Sequence, residues 1–444
     1  MVTVFGSEMV NNELTCRFKK KGLAMSEVPN KFLAEHIQLS RRWFLRTGAA
    51  GAVALDASAL LGREPQSDVL KKAVAKIEPY MTPQDDFGDV SRGDPIPHYL
   101  SPEKLAEVGQ SRDTWKLEVT SDPENPARIK KPMTKEDGTA FDFKALLKLA
   151  ETKAVRFPKV MTCLNAWFPL GMGIWEGVPM RDVIWQTEPQ RNLRRVFYYG
   201  YHNDKPKQMF RSSLPVGRVL EDAFGLPPVI LCYKLNGQWL TAERGGPVRV
   251  VVPEAYGFKS VKWLSNIVLS NLHNANDTYA RGNNDVDSHL KTFAGAFDFP
   301  LTVKPNTPFA VTGYAQVGVS GLNKVQVWTQ RKDDPPPAGD KYFTKAPWAD
   351  AQILKPPTVW GGGLTGDKIP DNTAGFESGT GKPLSWPMRL TRVHWAYLHP
   401  GLPEGEHYLR SRTIDSNDVA QPMPRPFRKS GHASIEKEII RVKA

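Results

Sequence analysis

The chain has 444 residues, enough for two or three domains around a sizeable core. Its 40% hydrophobic and 24% charged residues form an ordinary globular balance, which sets aside disordered and fibrous classes. The net charge is +12, with +3 in residues 1–64 and +9 in the remainder; no Lys/Arg run is interleaved with aromatics, so small anions are expected rather than nucleic acid.

The first element is Ser40-Arg41-Arg42-Trp43-Phe44-Leu45-Arg46, followed by a weakly apolar Ala- and Gly-rich stretch over 47–61. This resembles a twin-arginine export signal, which implies a periplasmic protein exported already folded, as the route often carries proteins around a cofactor inserted in the cytoplasm. Asp56 interrupts the apolar stretch and no clean small-x-small cleavage site follows. Met25 would give a more usual basic region, so residues 1–24 read as an upstream extension. The stretch is too short and interrupted to span a membrane, and no later segment qualifies. Residues 1–64 are thus taken as an N-terminal extension with its signal.

Residues 65–110 are polar and proline-rich and contain the turn-forming string Arg92-Gly-Asp-Pro-Ile-Pro97. Ser101-Pro-Glu-Lys reads as a helix start, with Ser as cap and Pro at the first position. Residues 115–119 alternate as a strand, 141–150 are amphipathic at helical spacing, and 178–185 and 216–224 are short helices. Residues 248–252 and 261–269 are strands. Strands and helices mix without strict alternation, so 65–290 is expected to be an α+β domain. Residues 271–289 are rich in Asn and Asp and read as a linker or exposed crossing. Beyond it, residues 301–303, 309–319, 325–329, 390–395 and 408–414 are short, alternating and separated by turns. The region 291–444 is therefore expected to be an immunoglobulin-like β-sandwich. Its 333–339 string reads as a hairpin tip and its Gly-rich 361–381 as a surface loop.

Chemistry concentrates at three places. Cysteines occur at only three positions, 16, 163 and 232. Cys16 precedes the signal, and Cys232 sits in an apolar run that reads as a buried strand, which argues against a Cys163–Cys232 disulfide. Cys163 lies in Met-Thr-Cys163-Leu-Asn165-Ala-Trp167, ahead of Gly-Ile-Trp175-Glu-Gly177-Val-Pro179. A lone thiolate is a soft donor for a metal, although most free cysteines are simply buried. Glu243-Arg244-Gly245-Gly246-Pro247-Val248-Arg249 leads into a strand. It is followed by Tyr256-Gly-Phe-Lys259-Ser260-Val261-Lys262-Trp263. Glycines there allow close backbone approach, and Arg249, Lys259 and Lys262 can give charge-assisted contacts to a phosphate. The alternative is a basic surface turn.

In combination these motifs resemble the sulfite oxidase superfamily of molybdopterin enzymes over residues 80–440. Cys163-Leu-Asn-Ala166-Trp167 is similar to the Cys-x-x-Ala-Trp frame of its periplasmic methionine-sulfoxide-reductase branch. Trp175-Glu-Gly177-Val-Pro179 matches the Trp-x-Gly-x-Pro that follows. Gly246-Pro-Val-Arg249 and 256–262 resemble the pterin-binding stretch. Arg92-Gly-Asp-Pro-Ile-Pro97 resembles the substrate-side Arg segment of sulfite oxidases. The C-terminal part resembles that superfamily's dimerisation domain.

The resemblance implies a molybdenum-molybdopterin cofactor with Cys163 as metal ligand. Arg249, Lys259 and the Ser260-Val261-Lys262 segment would hold the pterin phosphate. Arg244 and His202 would contact the pterin, Arg92 would orient substrate, and Asn165 and Trp167 would stand beside the metal, with Trp167 or Trp175 walling the pocket. It also implies oxygen-atom transfer on a small sulfur compound, an external redox partner such as a cytochrome or membrane haem subunit, and a homodimer. No haem-attachment or multi-cysteine iron–sulfur pattern is present in the sequence. The chain departs from both branches. Ala166, Trp167 and Phe168 replace the Arg-bearing run of sulfite oxidases, and Asn165 replaces an acidic residue of the reductases. A sulfoxide reductase, or an exported binding protein without redox chemistry, are the alternatives. A polymer-binding scaffold is a weaker one.

Overall fold

The computed structural model describes residues 67–444 apart from 167, 203–208, 224, 281, 283, 288, 336, 341, 422–427 and 432–433. The twin-arginine motif lies outside the described residues. In chain order the elements are α1 (Asp68–Val74), α2 (Pro102–Glu107), β1 (Lys116–Ser121), β2 (Phe141–Asp142), α3 (Phe143–Lys153), β3 (Val155–Met161), β4 (Gly171–Pro179), α4 (Met180–Ile184), β5 (Arg195–Gly200), β6 (Arg211–Pro215), α5 (Val216–Leu220), β7 (Ile230–Leu235), β8 (Gln238–Trp239), β9 (Arg249–Val251) and β10 (Leu264–Ser270). Then follow β11 (Phe293–Asp298), β12 (Thr302–Val303), β13 (Phe309–Gln316), β14 (Lys324–Arg331), β15 (Ala349–Ile353), β16 (Arg392–His399), β17 (Gly405–Ile414) and β18 (Glu438–Val442).

Local chemistry sets several of these boundaries. Ser101 Oγ accepts from the amide of Lys104 and Pro102 occupies the first turn of α2, as its sequence predicts. Asp142 caps α3 by accepting from the amide of Ala145 at 2.8 Å. The 178–185 segment differs from the sequence expectation: β4 continues through Pro179 and only residues 180–184 turn helical. All nine residues of β4 are buried, including Glu176, which pairs with Arg156 at 2.6 Å, so the strand shows no alternation. Gly177 permits this burial, because a Cβ there would stand 2.3 Å from the carbonyl oxygen of Leu231 on β7.

Three sheets result. One runs β2-β1-β10-β5-β6, with β1 and β10 parallel. A second runs β3-β4-β7-β8, with β9 added to β7. The third is a continuous path of eight strands, β11-β13-β16-β15-β14-β17-β18-β12. Mixed α/β architecture is therefore present, with all the long strands of the third sheet C-terminal to residue 290. The path folds back on itself, since partly buried Glu436 accepts from both the amide of Ala296 on β11 and the hydroxyl of Ser411 on β17. Residues 332–348 form a long β14–β15 hairpin loop rather than a tight tip.

The first 25 described residues belong to both halves. Helix α1 packs on β13 and β16. Arg392 of β16 donates to the carboxylate of Glu78 at 2.6 Å and to the carbonyls of Pro79 and Tyr80. Met81 then bonds Trp360, and Thr82 bonds Met172 of β4. Backbone bonds from Val160 to Leu390 and from Ala374 to Arg156 join β3 to the C-terminal region. One apolar cluster accordingly contains Val160, Met172, Ile174 and Tyr256 together with Val311, Val325, Trp395 and Ile440. The Gly-rich 361–381 segment is not a free surface loop, because Trp360, Leu364, Ile369 and Phe376 are buried in that cluster.

Candidate active site

Strand β3 ends at Met161, and the chain turns into the frame that carries Cys163. The amide of Ala166 closes the turn by donating to the carbonyl of Cys163 at 3.1 Å, and Leu170 returns to Met161 to start β4. Cys163 is half-buried and unpaired, as is buried Cys232 on β7. Burial pushes the Cys232 thiol up to about 12, so it stays protonated and inert. Cys163 instead faces a cavity of about 460 Å³.

That cavity collects most of the residues singled out from the sequence. Cys163, Arg92, His202, Arg244, Arg249, Ser260, Val261 and Lys262 all line it, together with Trp175. Three cations converge from two segments. Arg249 Nη1 and Nη2 donate to the carbonyls of Arg244 at 2.8 Å and Ser260 at 2.6 Å, locking the two loops together. Burial lowers its guanidinium to about 10, with Cys232 opposing the shift and Arg244 reinforcing it. Arg244 reaches the carbonyl of Phe87 and pairs with the Glu243 carboxylate. Lys262 Nζ holds Asp89 at 2.7 Å and Ser91 at 2.8 Å, and burial lowers its ammonium to about 8. Gly245 makes this approach possible: its φ is +93°, and a Cβ would stand 2.6 Å from Lys262 Cβ.

His202 donates from Nδ1 to the carbonyl of Gly200 at 2.8 Å, which leaves Nε2 as its acceptor nitrogen. Burial lowers its pKa, so the ring is neutral at pH 7. Its edge meets Trp263 at 5.7 Å.

Two sequence candidates do not reach the cavity. Lys259 is 1% exposed and turns the other way, donating to the carbonyl of Ser213 at 2.7 Å and pairing with Asp277 at 3.4 Å. It fixes the pterin-like stretch from behind instead of offering a phosphate contact. Asn165 is exposed and meets Tyr279 Oη at 3.4 Å, so it borders the site through that tyrosine. Trp167 lies outside the described residues.

The structure adds residues that the sequence pattern did not mark. The 271–289 segment is irregular but is no simple linker. Asp277 and Asp285 are buried, and Tyr279 lines the cavity. The Tyr279 ring stacks on Phe258 at 4.6 Å, and its hydroxyl pKa is raised by burial and by the nearby Cys163. Lys429, from the C-terminal region, places Nζ 5.9 Å from the Tyr279 ring, and Arg92 lies 5.7 Å over Phe210. The available signal was a lone aromatic residue, Tyr279, in an otherwise Asn/Asp-rich stretch.

The cavity has a cationic end and a thiol end. At the cationic end Arg244 Nε and Arg249 Nε are buried without partners, while Asp89 pairs with Lys262 and Glu243 with Arg244. A buried orphan N–H costs about 1–3 kcal/mol, so this end suits a ligand with several anionic acceptor oxygens. Among the described residues no group of three or more His, Cys, Asp or Glu could hold a bare metal ion. Both ends fit a phosphate-bearing cofactor that also carries metal donors.

Comparison with known proteins agrees with this fit. Residues 105–278 match the family described as oxidoreductase molybdopterin binding domain. Nitrate reductase [NADH] of Spinacia oleracea is 26% identical over 205 residues, 44% of this chain and 22% of that protein. The protein-methionine-sulfoxide reductase catalytic subunit of Burkholderia mallei is 31% identical over 34% of this chain and 43% of its own length. Sulfite oxidase of Gallus gallus is 35% identical over 22% of this chain and 21% of its length. The matched region spans less than half of each of these relatives. In fold, the chain is similar to the sulfane dehydrogenase SoxCD of Paracoccus pantotrophus, with a TM-score of 0.52 over 89% of this chain and 93% of that one at 15% identity.

Proposed function

We propose, from the premise that residues 105–278 are a molybdopterin-binding oxidoreductase domain, that this protein oxidises a small sulfur oxyanion by oxygen-atom transfer. The observation that carries the proposal is the convergence of Cys163 and the Arg244–Arg249–Lys262 cluster on one cavity. When bound, the cofactor supplies two-electron oxygen-atom exchange at its metal. Cys163 would be the protein's thiolate to that metal. Arg249, Lys262 and the 260–261 backbone would hold the phosphate end, with Arg244 and His202 along the pterin.

The remaining residues act on the substrate. Arg92 and Lys429 supply positive charge on the substrate side and orient an anion before reaction. Phe210, Phe258 and Tyr279 narrow that side and exclude water. The raised pKa of Tyr279 keeps its hydroxyl protonated, so it donates a hydrogen bond to a substrate oxygen. Oxidation adds one oxygen from water to sulfur and releases two protons and two electrons. An external one-electron acceptor, such as a cytochrome or a membrane haem subunit, would take the electrons.

The twin-arginine motif supports a periplasmic location, in line with the Burkholderia relative's branch. The strand path after residue 290, folded back through Glu436, supports an immunoglobulin-like domain over 291–444 that pairs two copies. A division at residue 290 separates it from the catalytic domain of 65–290. The S-oxide reductase reading is favoured by one specific observation: the Ala166-Trp167-Phe168 run after Cys163 lacks the cations of sulfite oxidases.

Steady-state assays separate these. The expected outcome is sulfite-dependent reduction of ferricyanide, with Arg92→Ala raising KM for sulfite about tenfold through loss of a charge-assisted contact. Methionine-sulfoxide reduction by dye-reduced enzyme, without sulfite oxidation, would replace the oxidase reading by the reductase one. Neither activity in molybdenum-loaded protein would favour the exported binding protein.

A further inference from the structure

The side chain next to Cys163 is tied to the far sheet. Thr162 is 0% exposed, and its hydroxyl donates to Gln316 Oε1 at 2.5 Å. Gln316, also 0% exposed, is the last residue of β13, and its Nε2 donates to the carbonyl of Lys291 at 2.7 Å. Its backbone is fixed on both flanks, opposite Phe293 on β11 and Arg392 on β16. The carbonyl of Thr162 meanwhile accepts from the amide of Gly257, in the loop that lines the cavity, at 2.8 Å.

Cys163 is thus the first residue beyond a point clamped from two directions. One clamp belongs to the cofactor-facing loop and one to the C-terminal sheet. No strand pairing holds this segment: β3 ends at Met161 and β4 begins at Gly171. With the ladder absent, the Thr162–Gln316 bond and the Gly257 amide together fix the direction in which the backbone leaves β3. A side-chain thiol moved by 1 Å no longer meets a metal at bonding distance.

We infer that Gln316 is a positioning residue for the Cys163 thiolate, acting through Thr162, so that the C-terminal sheet sets the geometry of the metal ligand. The inference rests on the proposed role of Cys163 as metal ligand, but its geometric content does not. Each partner of the bond is buried, so removing one alone leaves the other unsatisfied, whereas the double variant replaces the bond by an apolar contact and loses only the Gln316 bond to the Lys291 carbonyl.

The test is a set of four variants, Thr162→Val, Thr162→Ser, Gln316→Leu and the Val/Leu double, in a Cys16→Ser background. The cofactor-free protein is treated with iodoacetamide at fixed pH, and Cys163 modification is followed by peptide mass spectrometry. Buried Cys232 serves as the internal control for unfolding. The expected result is a change of threefold or more in the Cys163 rate for Thr162→Val, Gln316→Leu and the double, an unchanged Cys232 rate, and recovery of the wild-type rate in Thr162→Ser. In molybdenum-loaded protein the same three variants should shift the Mo(V) EPR g-values and lower kcat with KM within twofold. Wild-type Cys163 rates and g-values in the folded double variant would overturn the inference. So would Cys163 and Cys232 rates rising together, because that marks general loosening. Altered Cys163 rates in a protein that takes up no molybdenum would uphold the strut and overturn the metal-ligand role, so the two failures are distinct.

Discussion

Lys262 concentrates the physical tension of the site in one residue. Its side chain is 12% exposed beside Arg249 and Arg244, and its one carboxylate partner, Asp89, does not offset the burial. The unfolded chain holds this proton up to pH 10.5, whereas the folded protein releases it near pH 8. Between those values the unfolded state binds more protons, so stability contributed by this residue rises with pH across the window and is lowest below 8. Lys262→Met should therefore stabilise the cofactor-free protein at pH 7 by about 2 kcal/mol and do little at pH 10.5, read by urea unfolding. Equal stability of the two proteins at pH 7 would contradict it. Under the proposed function, a bound phosphate dianion would replace that repulsion with attraction, which gives the charge a use. The basic character of the motif 256–262 was legible because Lys and Arg beside glycines mean the same anion-binding chemistry in any fold, and Lys262 does line the cavity. The direction of each side chain was not legible. Lys259 and Lys262 are three residues apart, yet one faces Asp277 and the other the cavity. A 3₁₀ turn over Gly257–Lys259, followed by an irregular stretch up to β10, sets them apart.

At the level of elements, the bond network around Glu436 shows how the C-terminal strand path closes. The carboxyl is buried between β11 and β17, and burial raises it to about 7 despite hydrogen bonds from Ser411 and Ala296. Because the folded pKa lies above the ordinary 4.5, its favourable contribution is complete below pH 4.5 and is lost as pH rises towards 7. Glu436→Gln should remove that slope, making the variant more stable relative to wild type at pH 8 than at pH 4.5, by on the order of 3 kcal/mol at most. Chemical denaturation at the two values checks it; parallel stabilities would mean that Glu436 is hydrated in solution. Nothing in Ile435-Glu436-Lys437 marks this residue, since its partners lie 25 and 140 positions away. Strands with alternating patterns, such as β1 and β14, were legible. Strand β4 was not, because a strand buried on both faces loses the period that identifies it. The 271–289 segment was misjudged for a related reason: Asp277 is buried by an ion pair to Lys259, and a pair distant in sequence gives no local signal.

Across the whole molecule, the catalytic region and the C-terminal sheet are one packed body. Strands β3 and β4 share a core cluster with β13, β14, β16 and β18, and the strap over 68–82 is pinned to β16 by Arg392. Calorimetry of the cofactor-free protein should give a single cooperative transition rather than two; two resolved transitions would show that the shared core does not couple the halves. The change of strand pattern after residue 290, where the eight-stranded sheet begins, was legible. The coupling was not, because Thr162–Gln316 and Val160–Leu390 are contacts between positions 154 and 230 residues apart. The claim on which the functional account turns is that Cys163 binds molybdenum within this body. The deciding measurement is molybdenum per chain, by elemental mass spectrometry, in wild type and Cys163→Ser, both produced with cofactor biosynthesis intact. The account expects close to one metal per wild-type chain, and in the variant either no metal or a metal that cannot be reduced and reoxidised. Wild-type protein without molybdenum, or a Cys163→Ser variant with full molybdenum and full redox activity, would contradict it.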